Sequence, residues 1–145
     1  MKEYLVGLFL DPMGTMGMTV DEEVDYIKMM LKGWFPNTKL EYKDGMVHPS
    51  EASTVDIYII DFGGLLPGCP GLIEPTYREL LKSIQECPNV LFIIWTVMTA
   101  LYYKDEIEYR FGEEKEFGNV IFKDRGYDKT DMFLKEFKQW VGEEE

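Results

Sequence analysis

The chain predicts a single α/β domain, a three-layer sandwich built on a mainly parallel sheet of five strands. Three observations lead there. The stretch Val55–Leu66, VDIYIIDFGGLL, opens with almost no polar side chain, as in strands covered on both faces, the habit of parallel sheets. Val90–Val97, VLFIIWTV, repeats that pattern. Around these runs apolar residues recur at helical spacing, so strands alternate with helices of about 10–15 residues, as βαβ units require. Right-handed crossovers then place helices on both faces of the sheet.

Tyr4–Leu10 is the first strand, ending at Asp11-Pro12 and a glycine-rich loop, Met13-Gly14-Thr15-Met16-Gly17-Met18. Thr19 and Glu22 have the spacing of a capping box, so a helix begins at Val20. Val24, Ile27, Leu31 and Trp34 form its apolar stripe, and Gly33 and Pro36 mark its end. Thr38–Tyr42 is a brief, weakly alternating second strand suited to a sheet edge. Lys43–Thr54 holds an Asp44-Gly45 turn and a proline but no helical stripe. It reads either as a short helical turn from Ser50 or as a hairpin that returns strand two to strand three.

Strand three lies in the opening stretch. Pro67–Pro70 follows as a rigid loop, and Pro75 suits the first turn of a helix whose apolar face is Tyr77, Leu80, Leu81 and Ile84. Pro88 stops it. After strand four, Val90–Val97, a helix is expected from about Ala100 to Phe111, with Leu101, Ile107 and Phe111 apolar and Gly112 beyond its end. Glu113–Glu116 is a solvated connector. Asn119–Lys123 is the fifth strand, and a last helix after Asp124–Lys129 turns Phe133, Leu134, Phe137, Trp140 and Val141 inward. Strands three and four are the most apolar and should be central. That favours the flavodoxin-like order 2-1-3-4-5, whose crevice opens between strands one and three.

Composition narrows the function classes. With 145 residues the chain is long enough for one domain with a sizeable core. Its 27 acids against 15 bases leave a formal charge of −12, which repels phosphate backbones. Lys28/Lys32, Lys123/Arg125 and Lys135/Lys138 are scattered pairs, so direct nucleic-acid binding is not expected. The acidity serves solubility, or lets the chain occupy another protein's nucleic-acid groove. Cys69 and Cys87 are too few for a disulfide framework and read as reduced cytosolic thiols. MKEYLVGLFLDP lacks a small-residue cleavage site and reads as a strand rather than a signal peptide. Val90–Ala100 is too short to span a bilayer. A cytoplasmic protein without membrane contact is expected.

The carboxyl ends of strands one, three, four and five carry Asp11, Asp61, Thr96 and Lys123 in turn. If they meet at one rim, the two carboxylates suit Mg²⁺, and the hydroxyl and ammonium suit a phosphoryl group. Gly63 and Gly64, after Asp61, complete that rim or simply serve a turn. Gly14, Thr15 and Gly17 lead into a helix amino terminus, where free amides attract anions. GTMGMT has neither the full dinucleotide fingerprint nor the lysine of a P-loop. His48, the only histidine, has no evident cysteine or serine partner. Trp95, Tyr102, Tyr103 and Tyr109 read as packing residues.

In type, order and rough spacing, these four strand-end residues resemble the receiver domains of two-component response regulators. The resemblance implies that Asp61 accepts a phosphoryl group, that Asp11 binds Mg²⁺, and that Thr96 and Lys123 sense phosphorylation. The chain departs from the receiver pattern at several points. Leu10 and Pro12 flank Asp11 where receivers carry two adjacent acids. Leu65 stands where a proline is usual, and Asp124 rather than proline follows Lys123. The region between strands two and three is too short for a full helix. Asp11-Pro-Met-Gly-Thr also resembles the nucleophile motif of haloacid dehalogenases, with Met13 in place of their general acid. DFGGLLPG, followed later by IIWT, looks like small uncharacterised proteins of tailed bacteriophages.

The leading expectation is a binding or regulatory module for a small phosphorylated ligand or a partner protein. A homodimer stays open. The alternatives are an enzyme acting on phosphate esters or nucleotides through Asp11 and the glycine loop, and an acidic protein that blocks a host nucleic-acid enzyme.

Overall fold

The sheet holds β1 (Glu3–Phe9), β2 (Lys39–Met46), β3 (Ile57–Asp61), β4 (Leu91–Thr96) and β5 (Val120–Asp124). Their spatial order is β2-β1-β3-β4-β5, and all four pairings are parallel. This is the flavodoxin-like arrangement. The computed structural model describes residues 3–10, 19–61, 70–96, 119–124 and 130–142. The helix expected near residues 100–111 lies outside them. The described helices are α1 (Val20–Trp34), α2 (Pro70–Glu86) and α3 (Thr130–Val141). None is long and apolar enough to cross a membrane.

Period-two alternation in β3 and β4 explains their unbroken apolar runs. Ile57, Ile59, Leu91 and Ile93 pack on one face with Ile27 and Leu31 of α1 and Phe133 and Phe137 of α3. Tyr58, Ile60, Phe92 and Ile94 pack on the other with Leu80 and Ile84 of α2. Both faces are covered, so neither strand has a polar side to show. Position β2 is an edge, as its weak alternation suggested. The capping box of α1 is formed: Glu22 N donates to Thr19 Oγ1 at 3.2 Å and Thr19 N to Glu22 Oε1 at 3.0 Å. Those bonds to the ionised form hold the Glu22 carboxyl below its ordinary range.

Two boundaries differ from expectation for identifiable reasons. Helix α2 begins at Pro70 rather than near Pro75; proline is tolerated in a first turn, where its missing N–H is not needed. Strand β2 continues past Tyr42 to Met46, straight through the expected Asp44-Gly45 turn. Gly45 adopts a φ of 75°, and the register jumps from Val6↔Tyr42 to Leu8↔Met46. The dipeptide is therefore a bulge, in which a left-handed glycine absorbs extra residues and the strand rejoins the ladder. Val47 N then donates to Leu8 O at 2.8 Å. Because β2 pairs in parallel with β1, the hairpin reading is excluded.

The link from β2 to β3 is a 3₁₀ segment, Pro49–Thr54, in agreement with the short helical turn. It is tied down by Tyr58 Oη donating to Val47 O at 2.7 Å and Ser83 Oγ donating to Pro49 O at 2.6 Å, both buried. So short a crossover must lie flat on the sheet, and it does so over Gly7. A Cβ at Gly7 would stand 3.0 Å from Val47 Cγ2 and 3.1 Å from Val55 Cγ1. Valine is otherwise what a buried strand prefers, so Gly7→Val isolates the collision. We expect it to lower stability by about 2–3 kcal/mol, read as a lower urea midpoint with unchanged slope. A midpoint equal to that of wild type would show that the crossover yields freely.

Candidate functional site

With every strand parallel, all carboxyl ends lie at one edge of the sheet. The rungs there are set by register. Phe9 pairs with Ile60, and Ile60 with Ile94. On the next rung Asp61 pairs with Trp95, and Trp95 with Lys123; Thr96 pairs with Asp124 one step further. Asp61 and Lys123 therefore share a rung, separated by β4, with their backbones about 10 Å apart by ordinary strand spacing. Thr96 closes β4 between them.

Of the expected site residues, Asp61, Thr96 and Lys123 thus come to a common edge in the backbone. Leu10, buried behind the end of β1, is the residue before Asp11. Asp11 itself, Gly14, Thr15, Gly17, Gly63 and Gly64 lie outside the described residues. Among the described residues no group of three or more histidine, cysteine or acidic side chains could hold a metal ion. Of the two carboxylates expected to bind Mg²⁺, only the strand position of Asp61 is therefore placed.

Two further side chains, His48 and Met46, stand at the same edge, and His48, expected to lack a serine partner, has one two residues on in Ser50. The His48 ring lies edge-on to Phe9, with centroids 5.8 Å apart. Its Nδ1 accepts from Ser50 N at 3.2 Å and lies 2.9 Å from Ser50 Oγ. Accepting at Nδ1 leaves the proton of the neutral ring on Nε2. Met46 Sδ accepts from Leu10 N at 3.2 Å, capping the last described amide before Asp11. Both were hidden because their place at this edge depends on β2 running parallel to β1. Glu23 is fully buried in the first turn of α1. Its signal was legible: it lies four residues before Ile27, on the helix's apolar stripe.

Burial governs the titration of Tyr42, Tyr58 and Cys87. Tyr42 is pushed up to about 12 by burial. Tyr58 is driven well above its ordinary value by burial and, to a lesser degree, by the charge of Glu51. Both remain neutral donors through the physiological range. Burial, helped by the Glu86 charge, also raises the Cys87 thiol, which disfavours the thiolate a nucleophile needs.

No protein family, curated protein or solved structure matches this chain. A functional reading rests on the strand ends themselves.

Proposed function

We propose that the chain is a receiver-like binding or regulatory module that takes a divalent cation and a phosphoryl group at the carboxyl edge of its sheet. The observation that supports this reading is the rung Asp61–Trp95–Lys123, with Thr96 one step beyond. An acid and a lysine on one rung, with a threonine one residue further along the strand between them, are the residue types that supply a cation ligand and anion donors. Their backbones lie about 10 Å apart by ordinary strand spacing, the distance a bound cation–phosphoryl pair would have to span. By this reading the acidic surface keeps nucleic acid away and leaves recognition to this edge.

The test is a titration with Mg²⁺ and beryllofluoride, a phosphoryl mimic, followed by tryptophan fluorescence, since Trp95 lies on the rung. A saturable change that requires Mg²⁺ is expected. Asp61→Asn should abolish it, and Lys123→Ala should weaken it about tenfold or more, the loss of a charge-assisted hydrogen bond. A silent wild type, or an undiminished response in Asp61→Asn, would falsify the reading. Turnover of phosphate esters that Asp11→Asn removes would instead make the chain an enzyme.

A further inference from the structure

A second site is carried by the opposite, amino edge of the sheet. Helix α1 runs back from the carboxyl edge, so its last turns, the Phe35–Thr38 connection and the start of β2 meet there. Between them is a hollow of about 400 Å³ lined by Lys28, Lys32, Phe35, Thr38, Lys39 and Tyr42, among others. Three of the chain's 15 basic residues thus surround one concavity in a protein whose net charge is −12.

The three lysines are not equally engaged. Lys39 is shared between Glu3 at 3.7 Å and Glu41 at 3.9 Å. Lys28 and Lys32, one helical turn apart, have no carboxylate within ion-pair reach among the described residues. The Lys28 ammonium instead stands 5.0 Å from the centroid of the Tyr42 ring, a cation–π contact that holds it over the hollow. The carboxyl end of α1 adds the negative pole of a helix dipole, about half a charge, which the Lys28 and Lys32 ammonium groups, unpaired with carboxylates among the described residues, outweigh.

The hollow is also polar and apolar in the right places. Phe35 is buried beneath it, and the Tyr42 ring forms part of its wall. Thr38 Oγ1 is enclosed and has no hydrogen-bond partner among the described residues. A buried hydroxyl left unsatisfied is costly, and an acceptor bound in the hollow beside it would relieve that cost.

We infer that this hollow binds a small organic phosphate, its anionic group held by Lys28 and Lys32 and its apolar part laid against Tyr42 and Phe35. The site is independent of the carboxyl-edge reading and uses none of its residues. Sequence separation concealed it: Lys28 and Lys32 look like one scattered pair until β2 brings Lys39 and Tyr42 alongside.

Phenyl phosphate is a suitable probe, with inorganic phosphate and phenol as controls, followed by amide chemical shifts of the whole chain. Saturable shifts at Thr38, Lys39, Leu40 and Tyr42 are expected, with phenyl phosphate binding more tightly than either control. Lys28→Gln combined with Lys32→Gln should weaken binding about tenfold or more, as the loss of charge-assisted hydrogen bonds requires. Both side chains are exposed, so the double variant should fold normally. Thr38→Val should weaken binding without lowering the urea midpoint, and Asp61→Asn should leave it unchanged. Absent shifts in this group, shifts that survive the double lysine variant, or equal affinity for inorganic phosphate would overturn the proposal. Shifts confined to the ends of β3 and β4 and lost in Asp61→Asn would assign the ligand to the carboxyl edge instead.

Discussion

Phe137→Ala is expected to destabilise the fold by about 3–5 kcal/mol, the largest effect of any single truncation considered. Phe137 is fully buried and stacks on Phe35 with centroids 3.9 Å apart and planes 17° from parallel. Phe133 lies 6.0 Å from it on the same helix and 6.2 Å from Phe35. This trio joins α3 to the residue that caps α1 and to the face of the sheet formed by Ile57, Ile59, Leu91 and Ile93. Deleting the central ring removes apolar burial and leaves a void that two helices and a sheet cannot readily close. Urea unfolding measures the loss directly, and a loss below about 1 kcal/mol would mean that the core repacks around the gap. A second readout follows from geometry. Phe35 also lines the hollow between α1 and β2, so phenyl phosphate should bind the Phe137→Ala protein more weakly, at temperatures where it remains folded.

Asn119→Asp should be nearly as damaging at neutral pH, about 3 kcal/mol, through electrostatics alone. Asn119 is fully buried. Its Nδ2 donates toward three carbonyls: Cys87 O at 3.1 Å, Val90 O at 3.2 Å and Ile84 O at 3.3 Å. One amide thus satisfies carbonyls of α2 and of the connection into β4, while its own main-chain carbonyl accepts from Phe92 N at 2.7 Å. A carboxylate there removes both donor hydrogens and places a negative charge against three carbonyl oxygens.

The new carboxyl would hold its proton more tightly folded than unfolded, where it titrates near ~3.9. Its share of stability is therefore full below that pH and is lost as pH rises through the raised folded value. The deficit relative to wild type should shrink on acidification, whereas that of Asn119→Ala, about 1–3 kcal/mol, should not vary with pH. Equal, pH-independent losses in the two variants would mean that the three carbonyls find other donors.

The shared edge of three strand ends was legible because it follows from two regular features. Apolar runs mark Ile57–Ile60 and Leu91–Ile94 as strands buried on both faces, and in a parallel sheet each such run delivers its next polar residue to one edge. Asp61, Thr96 and Lys123 could therefore be assigned to a shared edge before their register was known. His48 and Met46 could not. Lys43–Thr54 carries no periodicity, and only the parallel pairing of β2 decides to which edge its end belongs. The Asp44-Gly45 pair misled for a related reason: a left-handed glycine serves a turn and a bulge equally well. Asn119 was read as the first residue of a strand, since nothing in its neighbours announces three carbonyls from elsewhere in the chain.

Taken alone, the amino-acid order determined the fold class, the described strands other than the full extent of β2, the capping box of α1 and the inward stripes of α1 and α3. These follow from local periodicity and from short-range hydrogen bonds, which residues a few positions apart encode. Tertiary structure alone decided the direction of β2, the bulge at Gly45, the seat of the 3₁₀ crossover on Gly7, the buried Asn119 amide and the meeting of Lys28, Lys32 and Lys39. Each depends on register and crossover geometry between segments distant in sequence. Those are settled by which surfaces can be buried together, and no local pattern records them.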